Sequence, residues 1–319
     1  MYSVSWGNMF YPIKILAGNY EFSTPIYYGI GNHTPSDYFD IVLEGSGYDV
    51  TSINYTGTGN AITIDGNINN VYLKDFSIDN PNTTADTMIY WNSIKGSGES
   101  EISIENIGNS YGTSSYLMYF NNVYTALIKN ILTPAVNTIY INGSGGNTGH
   151  LYMQNMIWSG ASSTIGNYQY AYVSGQSQRI TVNNPIQNLK LINFNGGVTF
   201  NAPVNTFIAE NGLVNGYNDN PAALVINADV NYIKLLSCTV QGTLLGSTNT
   251  STNYTIGVLS IDGLYNIYQH EAFSNVTNVK INAYDFKNIP SGTYTTMPNQ
   301  SSTNGTTAGT VSMLSLIHI

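Results

Sequence analysis

The sequence predicts an all-β protein, a right-handed parallel β-helix with three short strands per coil. Three observations predict it. A six-residue pattern of alternating apolar residues recurs along the chain. Its copies are spaced by about one solenoid coil. Its fifth position is Asp or Asn in six consecutive copies.

The pattern reads apolar, any, apolar, any, Asn or small, apolar. Val71-Tyr72-Leu73-Lys74-Asp75-Phe76 and Ile102-Ser103-Ile104-Glu105-Asn106-Ile107 are the first two copies, and the nine copies start at 71, 102, 126, 151, 189, 207, 233, 259 and 279, on average 26 residues apart. Alternation at period two predicts strands with the apolar positions facing inward. The fifth position breaks that alternation with Asp75, Asn106, Asn130, Asn155, Asn193 and Asn211. Asn tolerates the left-handed backbone of a sharp bend. Stacked one coil apart, about 4.8 Å, such amides can bond one another in a ladder inside the bend. No segment carries a capped helical stripe, which excludes an α-solenoid. The signature motifs of propeller blades are also missing.

The other strands of each coil are read more coarsely. Ala61-Ile62-Thr63-Ile64 precedes the first copy and Phe76-Ser77-Ile78 follows its corner, which makes three strands per turn. The gaps of 31 and 38 residues after the copies at 71 and 151 are expected to hold outward loops. Residues 1–40 read as N-terminal lead-in strands with a truncated cap, 41–290 as the β-helix and 291–319 as a Ser/Thr-rich tail. Residues 314–319 resemble a translated sequencing adapter, so the chain reads as a metagenomic fragment clipped at both ends.

Ile15-Leu16-Ala17-Gly18-Asn19-Tyr20, Ile41-Val42-Leu43-Glu44-Gly45-Ser46-Gly47 and the run from Ile53 to Ile62 resemble successive opening segments of pectate-lyase-like β-helix proteins. The Asn corner resembles their asparagine ladder, and the similarity covers residues from about 13 to 290. The resemblance implies the fold and leaves function open, because the superfold hosts lyases, hydrolases, epimerases, tailspikes and adhesins. The paired Asp, Gly-His-Gly and Arg-Ile-Lys motifs of polygalacturonases do not occur here, and no Asp pair sits at matching positions of adjacent copies.

Composition removes other classes. Charged residues are only 8% of the chain, against roughly 25% in ordinary soluble proteins. The net charge is −9 and Arg179 is the only arginine, which argues against nucleic acid as a partner. No apolar run reaches the roughly 18 residues of a membrane span. The N-terminus lacks the charged and apolar regions of a signal peptide. Cys238 stands alone at an apolar repeat position and is expected to be buried and inert. Nine Asn-x-Ser/Thr sequons match the number that chance predicts from this Asn, Ser and Thr content. No cofactor or metal is expected.

The candidate site falls in the longest gap, from Ser159 to Gln178. Tyr168, Tyr170 and Tyr172 alternate there, so on a strand they would share one face nearly 7 Å apart. Trp158 stands at the start of this gap and Arg179 just after it. Flat aromatic faces with a polar edge suit sugar rings. Lys74, Glu105 and Lys129 alternate in sign at the fourth position and read as a stabilising column. Two functional classes are expected. The first is an extracellular scaffold of a cell surface or virion, tailspike- or adhesin-like, that recognises a polysaccharide or surface glycan; a virion spike would imply a homotrimer. The alternative is a polysaccharide lyase or glycoside hydrolase on an acidic polysaccharide. Two acidic side chains 5–10 Å apart in a groove on the coil face would favour the enzyme.

Overall fold

The computed structural model describes residues 13–28, 39–64, 68–80, 86–93, 100–109, 116–133, 137–144, 149–158, 162–175, 179–215, 222–241, 244–249, 251–263, 265–266, 278–287, 297–298 and 308–309. The adapter-like end and most of the tail lie outside these residues. The chain divides into two compact units, Met1–Ser163 and Thr164–Ile319. Each is a right-handed parallel β-helix of short strands, with three sheets in the second unit and, among the described residues, two in the first.

In the first unit, the first sheet contains Ile13–Lys14, Phe39–Glu44, Ile68–Asp79, Glu101–Gly108, Thr125–Thr133 and His150–Trp158, in chain order and all parallel. Ile26–Tyr28, Ile62–Ile64, Thr87–Asn92, Tyr116–Val123 and Asn137–Gly143 form the second sheet. Gly18–Phe22 and Thr51–Tyr55 pair in turn with the end of Ile68–Asp79 and start the third side. The second unit repeats this plan. Tyr168–Ser174, Ile186–Ile192, Val204–Glu210, Val230–Leu236, Tyr254–Asp262 and Val279–Lys287 make its first sheet. Ile180–Val182, Val198–Phe200, Leu224–Ile226 and Leu245–Gly246 stack in its second. Its third sheet is formed by Asn195–Gly196, Leu213–Asn215, Thr239–Gln241 and Tyr265–Asn266.

The repeat sits where alternation put it. Val71, Ile102, Ala126 and Leu151 align across neighbouring strands of the first unit, as do Leu189, Phe207, Ile233 and Leu259 in the second. All eight are at most 1% exposed, so the apolar positions face the core. The last copy is displaced, however. Leu259 aligns with Tyr284 and Ile261 with Phe286, so the copy begins at Tyr284 and not at Val279, which faces Tyr254. The 38-residue gap after Leu151 is not an outward loop either. It contains a further first-sheet strand, Tyr168–Ser174, with Ala171 opposite Leu189 and Val173 opposite Leu191. Gly175 occupies the corner of that strand with φ 63°, so the copy lacks the Asn that marks its neighbours.

The corner prediction holds in backbone terms at every described copy from Asp75 onward. Asp75, Asn106, Asn130, Asn155, Gly175, Asn193, Asn211, Ser237 and Gly263 all have φ between 50° and 68°. The amide ladder runs through the first unit. Asn106 Nδ2 donates to Asp75 at 2.8 Å, Asn130 to Asn106 at 2.9 Å and Asn155 to Asn130 at 2.9 Å. Its upper members are solvent-exposed, not enclosed in the bend as expected. Asn193 and Asn211 share the conformation, and their backbone N–H groups bond the next coil through Glu210 O and Leu236 O, each at 3.0 Å.

A second set of ladders escaped the sequence reading. Asn121 donates to Asn92 at 3.1 Å and Asn142 to Asn121 at 2.9 Å, toward the ends of the second-sheet strands of the first unit. In the second unit Asn201 donates to Asn183 at 3.0 Å and Asn227 to Asn201 at 2.9 Å. Their signal was an apolar-any-apolar-Asn run, as in Ile139-Tyr140-Ile141-Asn142 and Ile180-Thr181-Val182-Asn183.

Candidate functional site

Three of the five candidate residues lie on the strand Tyr168–Ser174, and the structure separates them. Tyr168 is fully buried in the core of the second unit, opposite Ile186. Gln169 and Tyr170 then both face outward, Ala171 turns in, and Tyr172 lies half-buried on the outward face. The expectation that the three tyrosines share a face is therefore wrong for Tyr168. The cause is a bend before the hexapeptide, where two consecutive residues point outward. The same bend precedes Leu189, Phe207 and Ile233, so Ile186, Val204 and Val230 occupy the place of Tyr168. An apolar residue three positions before the hexapeptide was the available signal.

Burial pushes the Tyr168 phenol far above its ordinary pKa. Among the described residues its hydroxyl has no hydrogen-bond partner. An unsatisfied buried polar group costs about 1–3 kcal/mol. Tyr168→Phe is thus expected to stabilise the protein by about 1 kcal/mol, read as a higher midpoint of denaturant unfolding. A lower midpoint would show that the hydroxyl has a partner the fold depends on.

Arg179 does not join the tyrosines. It leads into the second-sheet strand Ile180–Val182, where Nη1 donates to Thr199 Oγ1 at 3.1 Å and Nη2 to the Ala222 carbonyl at 2.8 Å. A Cβ at Gly197 would come within 2.6 Å of the guanidinium, so the glycine makes room for it. Burial lowers the Arg179 pKa to about 10, which leaves it charged at neutral pH. These contacts give Arg179 a packing role. Trp158 lies on the strand His150–Trp158 opposite Thr133, and its side chain falls outside the described residues.

What remains of the predicted surface is Tyr170 and Tyr172, with Asn188 and Lys190 opposite them on the next coil. Tyr170 is 48% exposed. Lys190 pairs with Glu210 at 3.1 Å, so the positive charge there is balanced.

The outward face of the first sheet in the first unit is chemically richer than the sequence reading allowed. Asp40, Asn70, Glu101, Thr125 and His150 align on successive strands, one position before the hexapeptide. Asn70 Nδ2 donates to both Asp40 carboxylate oxygens at 3.0 Å. Asp40 and Glu101 are two strand spacings apart, about 10 Å along the sheet. Tyr72 stands beside them, its pKa raised by burial and then by the charges of Glu101 and Asp40. Tyr152 follows higher on the same face, stacked on His150 with ring centroids 6.4 Å apart. Asp40 and Glu101 lie one position outside the hexapeptide and two coils apart, so no match between adjacent copies marks them in the sequence. Lys74, Glu105 and Lys129 align in one column as expected, and Lys74 forms its ion pair with Glu44, outside that column, at 3.2 Å.

The second sheet of the first unit carries a tyrosine column on its outward side. Tyr90, Tyr119 and Tyr140 align on three consecutive strands. Their rings stack, with centroids 5.3 Å apart at 13° and 4.3 Å apart at 6°. Tyr116 meets Tyr119 and Tyr140 edge-on, at 5.6 and 6.0 Å. In this column Tyr119 turns both faces to its neighbours and leaves only its edge to solvent.

Cys238 is buried as predicted, with its thiol directed at the Ala209 carbonyl at 3.3 Å and its pKa raised by burial. Among the described residues no group of three or more His, Cys, Asp or Glu could hold a metal ion, and no helix is long and apolar enough to cross a membrane. Compared with family models, with curated proteins and with solved structures, the chain matches none.

Proposed function

We propose that the protein is a β-helical scaffold, displayed outside the cell on a surface or a virion, that binds glycan chains along the outward face of its first sheet. The observation that carries this reading is the pairing of Tyr170 and Tyr172 with Asn188 and Lys190 on one outward face. Aromatic rings offer apolar faces for sugar C–H groups, and the amide and ammonium next to them offer donors to hydroxyls. Only 8% of the chain is charged, so a surface of this kind recognises by shape and hydrogen bonding more than by net charge. Arg179 and Tyr168 belong to the scaffold and not to the surface.

The test is retention on immobilised neutral and acidic polysaccharides, parent against a Tyr170→Ala, Tyr172→Ala double variant. Each aromatic contact contributes roughly 0.5–1.5 kcal/mol, so losing two is expected to weaken binding about tenfold or more. The melting temperature is expected to stay unchanged, because neither ring is part of the core. Unaltered retention would remove these tyrosines from the binding surface. The same incubation reads the enzymatic alternative, which rests on the Asp40 and Glu101 carboxylates. Binding without cleavage is the expected result, and release of reducing ends or unsaturated product would assign that pair a chemical role.

A further inference from the structure

We propose that Tyr119 and Tyr140 form a site of oxidative cross-linking, in which a one-electron oxidant joins them as dityrosine and staples two consecutive coils covalently. Three features carry this inference. The two residues are register partners on the neighbouring strands Tyr116–Val123 and Asn137–Gly143. Their rings lie almost parallel with centroids 4.3 Å apart, just closer than the roughly 4.5–7 Å usual for aromatic pairs. Both are half-buried on the outward side of the sheet, so an oxidant in solvent reaches the phenol edges while the sheet holds the rings together.

Tyr119 and Tyr140 are also hydrogen-bonded to each other, which ties the two phenols side by side. Tyr90 and Tyr116 surround the pair with further phenols. A radical formed on any of the four rings can be exchanged with its neighbours until two meet. The geometry then favours coupling between the closest rings. The lone thiol is not available as a competing reductant at the surface, because Cys238 is buried.

The chemistry balances with a peroxidase and hydrogen peroxide as the oxidant class. Each phenol gives up one electron and its phenolic proton and becomes a phenoxyl radical. The two radicals combine in a carbon–carbon bond between the ring carbons ortho to oxygen. Each of those carbons then loses its hydrogen as a proton, and each oxygen regains one, which restores two phenols. One peroxide takes up the two electrons and two protons and leaves as two waters.

The full chain is oxidised with a haem peroxidase and hydrogen peroxide and, separately, with a photo-activated ruthenium complex and persulfate. The monomer is then digested after Lys and Arg. Lys95, Lys129 and Arg179 place Tyr119 in peptide 96–129 and Tyr140 in peptide 130–179. The expected product is a monomer with dityrosine fluorescence, in which these two peptides are joined with the loss of two hydrogen atoms. Tyr119→Phe and Tyr140→Phe each abolish that species, whereas Tyr90→Phe retains it. The Phe variants keep the ring stack, and an unchanged melting temperature before oxidation shows that loss of the product is not unfolding. The cross-linked monomer melts at a higher temperature than the untreated one. Persistence of the joined peptides in either Phe variant, or dityrosine found only between separate molecules, or oxidation of the tyrosines without any cross-link, would overturn the proposal.

Discussion

Gly45→Ala is expected to destabilise the first unit by about 3 kcal/mol or more, seen as a large drop in the midpoint of denaturant unfolding. A Cβ at Gly45 would lie 2.0 Å from the carbonyl oxygen of Asp75 and 2.9 Å from Cβ of Phe76 on the next coil. Neither atom can yield. The Asp75 carbonyl accepts the Gly47 N–H at 2.9 Å, and Gly45 N–H is bonded to the Lys74 carbonyl at 2.9 Å, so the corner is tied to its neighbour on both sides. Phe76 is fully buried. Relief of the overlap requires the coils to part, and parting breaks those bonds. Parallel coils sit only about 4.8 Å apart, so there is no slack between them. A variant that unfolds at the parental midpoint would mean that this corner is not packed as described.

Asn130→Ala is expected to cost about 2 kcal/mol, and Asn130→Gly distinctly less. Two losses combine in the Ala variant. The left-handed backbone at φ 52° is strained for a residue with a Cβ and no local side-chain hydrogen bond, by about 1–2 kcal/mol. The amide also donates to Asn106 and accepts from Asn155, each at 2.9 Å. Each such bond contributes roughly 0.5–1.5 kcal/mol net, and at this exposed corner water replaces part of it. Glycine removes the amide and keeps the left-handed backbone without strain, so it isolates the ladder contribution. Equilibrium unfolding of both variants checks the division. If Gly costs as much as Ala, the amide ladder accounts for the loss and the backbone conformation does not.

The corners were legible in the sequence because left-handed backbone is a local demand that few residue types meet. Ser237 and Gly263 keep the same left-handed φ as Asn106 at their own copies, which shows that the corner geometry governs the position and Asn is one solution to it. The inward strand positions were legible for a similar reason: burial excludes polar side chains, so Val71, Leu73 and their equivalents stand out. Tyr168 was misplaced because Tyr is acceptable on either side of a strand and the bend at Gln169–Tyr170 shifts the alternation by one residue. Arg179 drew attention as the only arginine, yet rarity carries no information about direction, and its guanidinium turns to Thr199 and the Ala222 carbonyl.

The sequence by itself determined the class of fold, the inward face of each strand and the left-handed corners, since each follows from a residue and its near neighbours. Tertiary structure alone decided the register between coils and the company kept on the outward faces. Val279 with Ile281 and Tyr284 with Phe286 satisfy the apolar pattern equally well, and only the backbone register that aligns Leu259 with Tyr284 selects the second. Coil length varies, from 18 residues between Ala171 and Leu189 to 31 between Val71 and Ile102, so sequence distance does not reveal which outward residues meet. No burial constraint marks those residues either. The Asp40–Asn70–Glu101 column and the Tyr119–Tyr140 stack therefore come into being only when the coils are stacked at their spacing of about 4.8 Å.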